Sequence, residues 1–360
     1  MARPSRRSRG SVTIEDVARA AGVSAMTVSR VMNGEKNVRE STRAAVREAI
    51  ERLRYSPNTA ARSLAAGQAT HIGLLYANPS DAYLSQFLVG ALEGARRAGC
   101  HLVIEACEYE QESEQAEAAR RFATTQVEGV ILPPPLSESV PILTELAAAE
   151  IPVVTVAMGR LYENALNIRI DDFSAAREMT DYLLGLGHRR IGLIKGSPTQ
   201  IATSERERGF KAALEAAGLD PEGAPIEQGD FTFRSGLTAA ERLLDRTDRP
   251  TAIFASNDDM AAAAVSVAHR RGLAVPDDIS IVGFDDTAPA TTVWPELTTV
   301  RQPVSAMSEA ALDLLLADLR SRRSGADTGP AERVLDHELV VRESSGPAAK
   351  LRPAKTRKSA

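Results

Sequence analysis

The stretch Val23–Arg30, VSAMTVSR, ends in a guanidinium, Arg30, but begins with Ala25 and Met26, whose side chains cannot hydrogen-bond. If Val17, Val28 and Val31 turn inward, this short helix leaves Ala25, Met26, Ser29 and Arg30 facing outward. The chemistry open to such a face is recognition: the N-terminal end of a helix of this kind meets base edges in a DNA major groove. Residues arranged for bond-making are missing elsewhere. No GxGxxG or GxxxxGK[ST] follows a strand-like run, and no GxSxG elbow occurs. The five histidines (His71, His101, His188, His269 and His337) are scattered without a metal-spaced pair. Cys100 and Cys107 flank HLVIEA, which as a strand holds their Cα atoms roughly 23 Å apart, beyond disulfide reach. No enzyme activity, cofactor or metal is expected.

The recognition face needs a scaffold. Thr13 and Asp16 have the spacing of a capping box at the start of a first helix. Ala18 is small where two helices cross, Gly22 supplies the positive φ of a tight turn, and Ser24 caps the second helix. The spacing predicts a third helix from about Glu40 to Arg54 that buries Ala45, Ala49 and Leu53, with Val46 and Ile50 alongside, before Pro57 stops it. A short helix-prone piece, NTAARSLAAG, ends at Gly67.

Beyond His71 strand-like runs (IGLLYA, HLVIEA, GVILP, PVVTVA, RIGLIKG, TAIFAS, ISIVGF) alternate with amphipathic stretches at Phe87–Ala98, Ser174–Gly185, Arg206–Ala216, Gly236–Arg246 and Met260–Arg270. That alternation predicts parallel sheets covered on both faces. There are more such strands than one compact half needs, so two similar α/β lobes are expected, with a ligand mouth at the carboxyl ends of the strands.

Charge divides the chain in the same way. Residues 1–68 carry 13 Lys and Arg against 6 Asp and Glu, whereas residues 69–347 carry 25 against 42, and the polar tail adds five basic residues. A basic head on an acidic body fits a nucleic-acid reader joined to a regulatory domain. No apolar run reaches the roughly 18 residues of a membrane span, and MARPSRRSRG has no apolar stretch behind it, so a cytoplasmic location is expected.

From Val12 to Ala65, VTIEDVARAAGVSAMTVSRVMNGEKNVRESTRAAVREAIERLRYSPNTAARSLA closely resembles the N-terminal domain of the lactose/galactose repressor (LacI/GalR) family of bacterial transcription regulators. The resemblance continues through GHRRIGLI, RERGF, AIFASNDDMA, ISIVGFDD and PELTTVRQP. It implies an all-α helix-turn-helix head with a hinge helix, followed by a two-lobed α/β effector domain of the periplasmic-binding-protein type with parallel sheets. The implied boundaries are a basic arm at 1–10, the head at 11–57 and the hinge at 58–68. The first lobe would take 69–168 and 303–331, the second 169–302 and 332–346, and a basic disordered tail 347–360.

The resemblance also implies roles. Thr13 and Ser24 present helix N-termini to phosphates, Arg30 takes guanine O6 and N7, and Ala25 and Met26 touch thymine methyls. Ser29, Asn33, Asn37 and Asn58 contact the DNA, Ala61 lets two hinge helices approach, and Leu64 wedges into the minor groove. Tyr83, Arg206, Phe231, Asn257, Asp285 and Gln302 would line the effector site. The chain departs from the family in two places. Ala157-Met158 stands where relatives carry a pocket-facing aspartate, and Gln200 and Ala202 stand where purine sensors use polar or basic groups.

The expected protein is therefore a homodimer (or tetramer) that represses transcription from a pseudo-palindromic operator and responds to a sugar or sugar derivative. The alternatives are a nucleoside or phosphorylated metabolite acting as co-repressor, or a solute-binding protein with no DNA partner. Arg30→Ala is expected to relax or destroy sequence preference, at about 1–3 kcal/mol for each lost base contact. Affinities for operator duplexes carrying single base changes measure this; unchanged preference would put the reading helix elsewhere.

Overall fold

The computed structural model describes residues 13–32, 38–53, 70–109, 111–159, 166–325 and 329–348. They belong to two compact units that divide between Ala69 and Thr70.

In the first unit, helices α1 (Ile14–Ala21), α2 (Ala25–Met32) and α3 (Glu40–Leu53) share one small core. The capping box at α1 is closed in both directions: the Asp16 amide donates to the Thr13 hydroxyl at 3.3 Å, and the Thr13 amide donates to the Asp16 carboxylate at 3.0 Å. Gly22 ends α1 at φ 68°, a left-handed conformation that is costly for any residue with a Cβ. Ser24 then accepts from the Thr27 amide at 3.2 Å and starts α2. Val17, Val28 and Val46 are fully buried, with Ala18, Val31 and Ala49 around them. On α3 the buried positions are thus Val46 and Ala49, three apart and one face, while Ala45, Ile50 and Leu53 are only partly covered. The expected axis of burial through Ala45 and Leu53 is displaced by one position.

The second unit contains two six-stranded sheets. The first has the order β11-β5-β4-β3-β1-β2, where β1 is His71–Tyr76, β2 His101–Ala106, β3 Gly129–Leu132, β4 Val153–Val156, β5 Leu166–Arg169 and β11 Glu332–Val334. The second has the order β12-β10-β9-β8-β6-β7, where β6 is Ile191–Lys195, β7 Ile226–Gln228, β8 Ala252–Ala255, β9 Ser280–Asp285, β10 Thr298–Arg301 and β12 Glu338–Val340. All pairs are parallel except β10 with β12, an antiparallel edge. Because β11 pairs with β5, the first lobe runs past residue 331, the boundary expected from the sequence, and the chain returns to the second lobe only after Val334.

The helices of the first lobe are α4 (Asp81–Ala98), α5 (Glu112–Thr124) and α6 (Val140–Ala148). Those of the second are α7 (Asp172–Gly185), α8 (Ile201–Ala216), α9 (Phe233–Asp245), α10 (Asp258–Arg270) and the short α11 (Ala288–Thr292). α12 (Val304–Arg323) leaves the second sheet and packs back along α4. Several helices begin a turn before their apolar periodicity does, because polar caps start them: Ser80 accepts from the Tyr83 amide, Asp171 from Ser174, Thr232 from Ser235 and Asn257 from Met260. α8 starts after Gln200 without a side-chain cap, and Arg206 sits in its second turn and not at its start.

The residues set aside as structural are placed accordingly. His188 is buried, with Nδ1 2.9 Å from the Thr251 hydroxyl and Nε2 3.1 Å from the Gly346 carbonyl, and burial holds its pKa below the usual histidine value. Both cysteines are free thiols. No helix among the described residues is long and apolar enough to cross a membrane.

The α4–α12 contact depends on Gly90, since a Cβ there would lie 2.2 Å from the Ser305 carbonyl oxygen. Gly90→Ala should force the helices apart and lower stability by about 1–3 kcal/mol. Thermal or urea unfolding measures this; an unchanged midpoint would mean that the helices do not meet this closely.

Candidate functional site

The carboxyl ends of the two sheets face one another across a cavity. All six residues expected for the effector site line it: Tyr83 from α4, Arg206 from α8, Phe231 from the turn before α9, Asn257 at the cap of α10, Asp285 at the end of β9 and Gln302 after β10. They come from six separate chain segments, and each is at least nine-tenths buried.

Arg206 organises the chamber. Its Nε donates to Asp172 at 2.8 Å, its Nη1 to the Ser256 carbonyl at 2.5 Å, and its guanidinium carbon lies 3.6 Å from the centre of the Phe284 ring. The Asp285 carboxylate lies 4.0 Å from the same Nη1. A buried cation is tolerable only with such pairing. Asp172, which was not anticipated, is the main counter-charge; it follows the cap residue Asp171, and nothing local in the sequence marks it as facing inward. Burial raises the Asp172 carboxyl, against the pull of Arg206. Burial likewise pushes Asp285 up to about 7, opposed by Arg206 and by the Gln302 amide donating at 2.5 Å.

Several polar atoms are left over. The Tyr83 hydroxyl and the Gln302 carbonyl oxygen are buried without a hydrogen-bond partner among the described residues. Such groups cost about 1–3 kcal/mol each when left unpaired, and both can hydrogen-bond a polar ligand. Asn257 is mostly committed: its amide donates to the Phe231 carbonyl at 2.9 Å and its oxygen caps α10. The backbone is also strained here. Ala157, Phe231 and Asp285 adopt φ of 58°, 71° and 107°, and all three line the cavity. Ala157 confirms that this wall carries a methyl group and no carboxylate. Gln200 and Ala202 border the same space, with Asn78, Ser80 and Pro134 contributed by loops that showed no chemical signal in the sequence.

The lobes are latched together around this chamber. The Ser80 hydroxyl donates to Asp259 at 2.5 Å, Gln86 Nε2 to the Asp286 carbonyl at 3.1 Å, and the Ile201 amide, at the start of α8, to Glu138 at 3.0 Å. The Tyr109 and Thr199 hydroxyls meet at 2.9 Å.

In the first unit, Met26 is 66 % exposed and Arg30 is exposed on α2. Ala25 is not: three positions before Val28 it shares that residue's face and packs partly on the head core. The Thr13 and Ser24 hydroxyls are exposed but already serve their caps, and the Asp16 carboxylate occupies the N-terminus of α1. The Ser29 side chain and Asn33, Asn37, Asn58, Ala61 and Leu64 lie outside the described residues, as do the hinge, the arm at 1–10 and most of the tail.

Residues 13–58 match the profile of bacterial regulatory proteins of the lacI family, and residues 180–345 match a periplasmic binding protein-like domain. Catabolite control protein A of Priestia megaterium is 36 % identical over 337 residues, which is 93 % of this chain and 99 % of that protein. The HTH-type transcriptional regulator CelR of Thermobifida fusca is 35 % identical over 92 % of this chain and 98 % of its own length. Among solved structures, a transcriptional regulator CelR–cellobiose complex aligns with a TM-score of 0.71 at 32 % identity, covering 93 % of this chain and all of that one. A lac repressor dimer bound to operator and the anti-inducer ONPF aligns with a TM-score of 0.69 at 29 % identity, covering 94 % of this chain and all of that one.

Asp285 gives the chamber a pH signature. Its folded pKa, about 7, stands above its unfolded value, so the folded state keeps a proton that the unfolded state has lost. This group's contribution to stability is therefore greatest at low pH, declines as pH rises toward 7, and is constant above. Asp285→Asn should flatten stability against pH across that window, as read by unfolding midpoints from pH 5 to 8. An unaltered slope would mean that Asp285 titrates as an ordinary carboxylate.

Proposed function

From the premise that this chain belongs to the LacI family of bacterial regulatory proteins, we propose that it is a homodimeric transcriptional repressor whose effector is a neutral sugar or sugar derivative held between the lobes. That it is a DNA-binding transcriptional regulator follows from the family. Repression, dimerisation and the effector class are the proposal.

The observation that carries the effector class is the chamber's polarity: buried, unpartnered hydroxyl and amide groups surround a guanidinium whose charge is already balanced. A neutral polyol supplies donors and acceptors to those groups without adding charge. A phosphorylated metabolite would bring two negative charges beside Asp172 and Asp285, with Arg206 already paired. That a similar regulator forms a complex with cellobiose supports the same reading. The methyl of Ala157 makes one wall of the chamber apolar, which suits the C–H face of a sugar ring.

Repression is supported by relatives named as repressors, including the HTH-type transcriptional repressor PurR of Pectobacterium atrosepticum. A dimer is supported by the lac repressor dimer to which this chain is similar, and by Val89 and Leu92, which lie exposed three residues apart on α4. Each head would read one half-site, with Met26 contributing shape and methyl contact and Arg30 contributing hydrogen bonds. The effector acts by binding one lobe arrangement better than the other, which is the only way a ligand shifts an equilibrium.

Removing residues 1–68 is expected to abolish operator binding and to leave a folded unit that still binds effector. Specific DNA binding by the truncated protein would refute the assignment of the head. A thermal-shift screen of neutral sugars, sugar phosphates and nucleosides tests the effector class: a ligand at 100 times its Kd stabilises by about 2.7 kcal/mol. A shift with sugar phosphates or nucleosides alone would overturn the neutral-sugar reading.

A further inference from the structure

Among the long helices of the second lobe, α7, α9 and α10 each begin on a side chain of their own that accepts from the first turn: Asp171, Thr232 and Asn257. α8 does not. Its cap position, Gln200, makes no side-chain capping bond, and its first turn holds no acidic residue. The first amides of a helix have no partner within it and carry a partial positive charge. α8 takes its acceptor from the other lobe: both carboxylate oxygens of Glu138 lie within reach of the Ile201 amide, at 3.1 and 3.0 Å. Glu138 ends a short 3-10 turn (Leu136–Glu138) of the first lobe, and Leu136 and Ser137 of that turn are fully buried. The carboxylate is thus offered from a fixed base.

Two further contacts grip the same segment. Gly159, after β4, lies so close to the Ile201 side chain that a Cβ there would run into Ile201 Cγ2. The Tyr109 hydroxyl meets that of Thr199, two residues before Ile201, at 2.9 Å. Residues 199–201 are therefore held by three separate parts of the first lobe. From there the chain enters the chamber. Gln200 and Ala202 line it, and Arg206 stands in the next turn of α8, bonded to Asp172 and to the Ser256 carbonyl. One helix of 16 residues thus sets both the seat in the first lobe and the place of Arg206.

We infer that Glu138 is a positioning residue that keys α8 into the first lobe by serving as the anion its N-terminus lacks. The lobes part only when the start of α8 gives up that carboxylate, and Arg206 keeps its place in the chamber while the key is seated. This role involves no ligand contact, so its failure would leave the sugar reading untouched.

Two readings on the full chain test it. Alkylation of Cys107 reports lobe separation, because this thiol borders a cleft whose far side is formed by Ser197, Asp230 and Thr232 of the second lobe. Cys100, at the opposite end of β2, is the internal control. Hydrogen exchange at Ile201, Ala202 and Thr203 reports the start of α8. Glu138→Ala should speed both by at least about threefold, the size of effect expected when a charge at a helix terminus is lost. Glu138→Gln, which keeps an acceptor without the charge, should fall between. Gly159→Ala displaces Ile201 from the other side, leaves Glu138 in place, and should reproduce both changes. Faster exchange at the start of α8 with Cys107 alkylated at its original rate would reduce Glu138 to a local cap and overturn the inference. Equal acceleration at Cys100 and across β8 would mark general destabilisation and overturn it too, as would no change in either reading.

Discussion

A guanidinium buried between two lobes constrains everything near it. Arg206 cannot lose its proton, so the fold must surround it with counter-charge and acceptors. Asp172, the Ser256 carbonyl, the Phe284 ring and Asp285 do this, and they arrive from α7, β8, β9 and the turns after the strands. Once Arg206 is neutralised, the remaining polar groups of the chamber are free for a ligand. Under the proposed function the site then favours molecules that bring hydrogen bonds and not charge.

The same region joins the lobes. The hydrogen bonds from Ser80 to Asp259, Gln86 to the Asp286 carbonyl, Ile201 to Glu138, and between Tyr109 and Thr199 are few, and each contributes about 0.5–1.5 kcal/mol. Their sum is comparable with the binding free energy of a small ligand, so lobe arrangement and ligand occupancy are matched in energy. Asp285 and Asp286 link the two: the first lines the chamber, the second accepts the Gln86 bond, and both hold positive φ. A contact made at Asp285 is thus one peptide from a contact that holds the lobes.

Much of this was legible in the sequence because local rules are strong where the chain changes direction. Thr13, Asp16, Gly22 and Ser24 carry their caps and turn in their own chemistry, and the runs at β1 to β4, β6, β8 and β9 are apolar enough to declare parallel strands, all of them buried except the edge strand β2. The short strands β5, β7, β10, β11 and β12 were not legible. LNIR and TTVR are brief and half polar, and their residues become strands only because an adjacent edge offers hydrogen bonds. Taking Val17, Val28 and Val31 as the inward set leaves Ala25 outside, whereas its place three residues before Val28 turns it partly toward the core.

Sequence alone determined the two-part plan and the helix-turn-helix with Arg30 on its outward side, because periodicity, capping and motif spacing act over a few residues at a time. The six residues that line the chamber were named by the resemblance to a known family, which carries them position by position. Tertiary structure decided what those six residues are surrounded by. Asp172 as the partner of Arg206, the raised pKa of Asp285, and the unpartnered Tyr83 and Gln302 atoms all arise between segments 30 to more than 200 positions apart. Desolvation and pairing are properties of neighbours in space, and no local pattern encodes them.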